Sequence, residues 1–276
     1  MNLHKSIMLV LSILCVIILI LSYFMWKDKL ENAQNLSKTA IDPQIEKVQK
    51  EEPTSSGETT SLPEELELTR EELVAALSNA DAKIQELVLD RYDQSENIQM
   101  LIVGSTVMND GNPGYGQQLS EALTNTYGSL FEITLSPWDV TSEEFVETHL
   151  EEIAWDTEYD LVLMEPFTLN NNGLVTIEDE HDHILAVQER AREEVEDTIV
   201  MLQPPHPFYQ AQFYLTQVRA LETFANDNDI PYINHWTDWP ATDDVAITEF
   251  LTEDNSPNSD GANLWSSFLS SYFTSQ

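Results

Sequence analysis

Two adjacent hydroxyls, Ser105 and Thr106, follow a short apolar run and a glycine, Gly104. A hydroxyl can attack an acyl carbon if a base takes its proton and donors hold the developing oxyanion. Three later segments offer such partners. Asn170 lies in the run Glu-Pro-Phe-Thr-Leu-Asn-Asn-Asn-Gly (165–173) and carries an amide suited to an oxyanion. His206 is held between prolines in Gln-Pro-Pro-His-Pro (203–207), and His235 opens His-Trp-Thr-Asp-Trp-Pro (235–240). His235 is the first choice of base, with Asp238 to orient it, and His206 is the second. Trp236, with Trp239 and Tyr209, could form an apolar or sugar-stacking rim. Each residue also has a plain structural reading: hydroxyls bonded within a turn, histidines bonded in the core, an Asx turn at Asn170, aromatics packed at strand ends. His149, His181 and His183 read as helix-surface residues. Histidines two apart do not share a helix face, so Glu180-His181-Asp182-His183 is not read as a metal site.

The elements that position these loops alternate. Ile98–Val103, Phe131–Leu135, Asp160–Met164, Thr198–Leu202 and Tyr232–His235 read as strands. Helices are expected over Gln117–Tyr127, from a cap at Thr141 or Ser142 through Ile153, and over Glu180–Glu196, Ala211–Ala225 and Asn263–Phe273. Short apolar runs alternating with amphipathic helices imply a five-stranded parallel sheet covered on both faces. In such folds the ligand crevice lies beyond the carboxyl ends of the strands. The loops named above, with Ser-Pro-Asn-Ser-Asp-Gly-Ala-Asn-Leu-Trp (256–265), fall there.

With the blocks in that order, the segment from Ile98 to Phe273 resembles the SGNH/GDSL hydrolases. Gly104-Ser105-Thr106-Val107 stands where the family has Gly-Asp-Ser-Leu. Leu169-Asn170-Asn171 resembles the block carrying its oxyanion asparagine. Pro257-Asn258, Gly261 and Trp265 resemble its final block, and the loops at Glu165 and His235 resemble a branch found on bacterial cell surfaces. The resemblance implies a flavodoxin-like three-layer α/β/α sandwich and ester hydrolysis by a serine nucleophile, with no metal and no organic cofactor. Gly104, His206, Trp236, Asp238, Ser256 and Asn258 are the expected binding residues. The chain departs from the pattern at named positions. The nucleophile falls on Thr106, the final histidine on Ser256, and the final acid near Glu253 or Asp254. No glycine stands in the second block, where 136–142 reads SPWDVTS. The implied activity is an esterase or deacetylase acting on acylated polymers or lipids of the cell envelope. The alternative is a catalytically degenerate member that binds glycan or assists another enzyme.

The envelope assignment comes from the other end of the chain. Residues 7–26, IMLVLSILCVIILILSYFMW, supply about the 20 apolar residues that cross a bilayer as a helix. The expected plan is a cytoplasmic tail (1–6), an anchor (7–26), a polar linker (27–62) too poor in apolar residues to fold alone, a helical arm (63–96) and an extracellular domain (97–276). A cleaved signal peptide and a lipid-modified Cys15 are rival readings of the apolar run. In the arm, Thr69 and Glu72 form a capping-box pattern, and Leu73, Ala76, Leu77, Ile84, Leu87 and Val88 recur at helical spacing. Cys15 is the one cysteine, so the outer domain is expected to rely on its core. The 12 Lys and Arg against 49 Asp and Glu give a formal net charge of −37 and argue against a nucleic-acid partner. The sequence leaves the oligomeric state open.

Overall fold

The computed structural model describes residues 68–275. The expected tail, anchor and linker lie outside them. Among the described residues no helix is long and apolar enough to cross a membrane.

Four parallel strands form the sheet in the order β2-β1-β3-β4, with β1 Ile98–Ser105, β2 Phe131–Trp138, β3 Leu161–Met164 and β4 Ile199–Leu202. Successive residues of a strand point to opposite faces. Met100 and Ile102 accordingly enter one core with Leu161, Leu163 and Met201. Leu101 and Val103 enter the other with Val162, Met164, Val200 and Leu202. Helices α1 Arg70–Ala76, α2 Ala82–Gln94, α3 Tyr115–Tyr127 and α6 Ser259–Thr274 supply residues to the first core. Helices α4 Ile177–Glu194 and α5 Phe213–Asp227 cover the other face. The result is a three-layer α/β/α sandwich.

The expected fifth strand is reduced to one parallel bridge, Leu202 with Tyr232. Leu202 N–H donates to the Pro231 carbonyl and Ile233 N–H to the Leu202 carbonyl. Asn234 then accepts from Trp236 N–H through its side chain and turns the chain into a 3-10 helix, His235–Asp238, so the ladder stops. The helix expected from Thr141 to Ile153 is also broken. Thr141 caps one turn, Ser142–Glu144, after which the chain widens into a π turn, Phe145–His149, and a 3-10 turn, Leu150–Glu152. Phe145 and Leu150 are both buried. They are five residues apart, about 140° around an α-helix, whereas an i→i+5 turn brings them toward one face.

The arm is two helices rather than one. Thr69 and Glu72 make both bonds of the capping box. The chain bends after Leu77, where Asn79 donates to the Ser271 carbonyl and Asp81 N–H to Tyr272, so the corner is fixed to α6. Leu73, Leu77, Ile84, Leu87 and Val88 are buried in the same core as Leu119, Trp265 and Phe273. Arg91 closes the arm at the opposite end of the sheet. Its Nε lies 2.7 Å from Asp160, which also accepts from Gln99 N–H. Ile84 is fully buried, so Ile84→Ala should cost about 2–5 kcal/mol. Denaturant unfolding of the soluble domain measures this, and a loss below about 0.5 kcal/mol would show that the arm is not part of the core.

Candidate active site

At the carboxyl end of β1 the backbone runs extended through Ser105, then turns into a 3-10 helix, Thr106–Asn109. Ser105 is buried and Thr106 is exposed. Glu165, the residue after β3, extends the ladder by donating its N–H to the Val103 carbonyl at 2.9 Å. Its side chain turns back across the seam and accepts the Ser105 N–H on Oε2 at 2.9 Å. The Ser105 hydroxyl and the backbone of Phe167 and Thr168 lie close enough to favour its charged form, against the larger effect of burial. Glu165 is fully buried, its Oε1 has no partner among the described residues, and burial pushes its carboxyl above the ordinary range. A Cβ on Gly104 would stand 2.7 Å from the Cβ of Glu165, so only glycine lets the two strand ends approach this closely.

The β3–α4 loop holds a second buried acid. Thr168 Oγ1 donates to Glu180 Oε1 at 2.8 Å and Asn171 Nδ2 to Glu180 Oε2 at 2.6 Å. Asn171 Oδ1 in turn accepts Ser142 N–H at 2.8 Å, and the Ser142 hydroxyl lies 2.9 Å from His183 Nδ1. Phe167 takes φ 63, a strained conformation for a bulky residue, with its ring buried against Phe145. Asn170, the expected oxyanion donor, is half-buried and gives one amide hydrogen to the Val140 carbonyl at 3.0 Å, which leaves its second for a ligand. The structure therefore gathers Gly104, Ser105, Thr106 and the Asn170 loop at one end of the sheet.

His235 is not placed as a base. Its ring is fully buried, Nε2 donates to the Pro204 carbonyl at 2.8 Å, and Nδ1 accepts from Trp239 Nε1 at 3.1 Å. The ring stacks on Trp265 at 4.3 Å, and Trp265 stacks on Tyr115 at 3.9 Å. Burial lowers the imidazole to about 3, so it is neutral with both nitrogens in use. Asp238 is exposed, and Pro204 and Trp239 hold the positions it would need to orient His235. Trp236 donates its indole N–H to the Pro205 carbonyl at 2.6 Å and so braces the proline loop.

His206 differs. Nε2 donates to the Asn255 carbonyl at 2.8 Å, while Nδ1 has no partner among the described residues. Burial lowers it to about 4, which leaves a neutral ring with one free lone pair. Ser256 is half-buried and its carbonyl accepts the Thr252 N–H at 2.8 Å, near Asp110, whose carboxyl is raised mainly by burial. Asn258 serves as the N-cap of α6, accepting from Asp260 and Gly261 N–H and donating to the Glu249 carbonyl, so it is committed to structure. His183 and His181 are also less superficial than expected: one bonds Ser142 and the other stacks on Phe224 at 4.2 Å. Sequence reasoning passed over Glu180, Ser142 and Gln203; the last accepts from Trp265 Nε1 and donates to Tyr115.

Burial raises the Glu180 carboxyl to about 7, with a further push from Glu165, against 4.5 for an ordinary glutamate. A raised folded-state value means stability is greatest below about 4.5 and is lost as pH rises through 7. Glu180→Gln should therefore melt higher than wild type at pH 8, with the difference shrinking toward pH 5. Thermal melts across this range measure it; a constant difference would place the titration elsewhere.

No protein-family model and no curated protein matches the chain. Solved structures do match. One is described as a lipolytic protein of the G-D-S-L family from Desulfitobacterium hafniense DCB-2, at 18% identity and TM-score 0.51, covering 64% of this chain and 99% of that one. The psychrotrophic esterase EstA from Pseudoalteromonas sp. matches at 13% identity and TM-score 0.51, covering 63% and 94%. A catalytic mutant of the acetylxylan esterase Axe2 from Geobacillus stearothermophilus matches at 12% identity and TM-score 0.50, covering 62% and 92%. Identities this low speak to fold, and the fold is that of the SGNH/GDSL hydrolases.

Proposed function

We propose that the protein is a membrane-anchored, extracytoplasmic ester hydrolase of the SGNH type, an esterase or deacetylase acting on acylated polymers or lipids of the cell envelope. The observation that supports this reading is the strand-end turn, which leaves Thr106 exposed at the same end of the sheet from which the Asn170 loop departs. In this reading Thr106 Oγ1 attacks the ester carbonyl and the alcohol leaves with a proton. Water then releases the acid from the acyl-threonine. His206 is the base, because it keeps the one lone pair that His206 and His235 leave unpaired. Asn170 supplies its second amide hydrogen to the oxyanion. The anchor expected over residues 7–26 supports a substrate near the membrane.

A second reading, a binding or accessory protein without turnover, is favoured by one observation. Ser256, whose side chain is no base, stands where the family resemblance expects the catalytic histidine. Release of p-nitrophenol from p-nitrophenyl acetate by the soluble domain separates the two. Thr106→Ala and His206→Ala should each lower kcat by roughly 100-fold or more. His235→Ala should act first on stability, lowering Tm through the loss of a buried stacked ring. No turnover, with no labelling by a covalent serine-hydrolase probe, would sink the hydrolase and favour the binding reading.

A further inference from the structure

Glu165 presents an arrangement that the hydrolase reading leaves unexplained. A fully buried carboxyl reaches from the end of β3 to the end of β1 and accepts the Ser105 N–H at 2.9 Å. Ser105 immediately precedes Thr106, and its N–H is the last backbone donor before the turn. Gly104 has no room for a side chain because Glu165 occupies it. Glu165 itself opens the loop that carries Asn170, and its own N–H is bonded to the Val103 carbonyl of β1 at 2.9 Å. One residue thus ties the segment bearing the proposed nucleophile to the segment bearing the proposed oxyanion donor. A purely apolar side chain there would fill the space but leave the Ser105 N–H buried without an acceptor, which is costly.

We propose that Glu165 is a positioning residue that sets the Thr106 turn and the Asn170 loop in register with each other, acting through the Ser105 N–H on one side and its own backbone bond to Val103, at the head of the loop, on the other. This rests on the hydrolase reading for its catalytic consequence, while the grip on Ser105 stands apart from it. The carboxylate is the gripping form, because a charged oxygen is the stronger acceptor for the Ser105 N–H. Protonation on the acid side weakens the grip, and burial places that step above the ordinary carboxylate range. The ionisable groups around the carboxyl are Glu180 from α4, Tyr115 from α3 and Tyr214 from α5. Both tyrosines are pushed well above their usual value by burial, so Glu180 is the one neighbour that titrates near neutrality.

The test uses NMR and kinetics on the soluble domain in wild type, Glu165→Gln and Glu180→Gln. The Ser105 amide proton should shift with pH in wild type, with a midpoint above the usual glutamate range. That titration should persist in Glu180→Gln and vanish in Glu165→Gln. In Glu165→Gln, kcat should fall by roughly 10- to 100-fold with KM little changed, and the acid limb of the pH profile should disappear. A Ser105 amide that does not titrate, or titrates equally in Glu165→Gln, would overturn the grip. An unchanged kcat and pH profile in a folded Glu165→Gln would overturn the positioning role. Should Glu165→Gln not fold, the wild-type and Glu180→Gln titrations still decide whether Glu165 holds Ser105. Wild type without turnover would remove the hydrolase reading, and the amide titration would still decide the grip.

Discussion

A carboxyl group out of reach of water must be compensated by donors or driven toward its neutral form. The carboxyl end of this sheet is arranged around two such groups. Glu165 is met by the Ser105 N–H from the neighbouring strand end and raised by burial, and Glu180 is met by a threonine hydroxyl and an asparagine amide. These demands fix what surrounds them. Gly104 must lack a side chain, Phe167 must adopt a left-handed backbone, and Asn171 must spend its amide on Glu180 and its carbonyl on Ser142. The crevice-forming loops are therefore held by polar bonds, whereas the strands beneath them are held by apolar packing.

The segments around His235 are built differently. Tyr115, Trp265 and His235 lie in one stack, closed by Trp239 donating to the imidazole. His235 serves there as a flat, neutral plate whose two nitrogens bind a carbonyl and an indole. His206, one loop away, has one nitrogen bound and one free. Two histidines of similar burial thus have different chemical capacity, and the difference lies in the partner of a single nitrogen.

The apolar runs at 98–103, 160–164 and 198–202 made the parallel sheet legible, because strands buried on both faces need unbroken apolar sequence. The fifth strand was not, because its fate turned on Asn234 bonding the backbone two residues ahead. Strand-end placement also located the loops at the carboxyl end of the sheet, among them those bearing Thr106 and Asn170. The failure at His235 had a definite cause: Pro204, Trp239 and Trp265 come from three separate segments, and a local reading of the strand end cannot see them together. Glu165 carried a signal, an acid immediately after an apolar strand and before a proline. Its role depends on Gly104 sixty residues earlier, a contact no local pattern records. In the triplet Asn170-Asn171-Asn172, sequence could not separate the buried structural amide from its half-buried neighbour.

The arm has a consequence for where the folded unit begins. Its apolar residues lie in one core with the strands and the last helix, and its corner is bonded to α6. A polypeptide cut at residue 97 would lay bare the face of β1 and α6 that Leu73, Leu77 and Ile84 cover. The smallest piece that can stand alone must start upstream of Thr69.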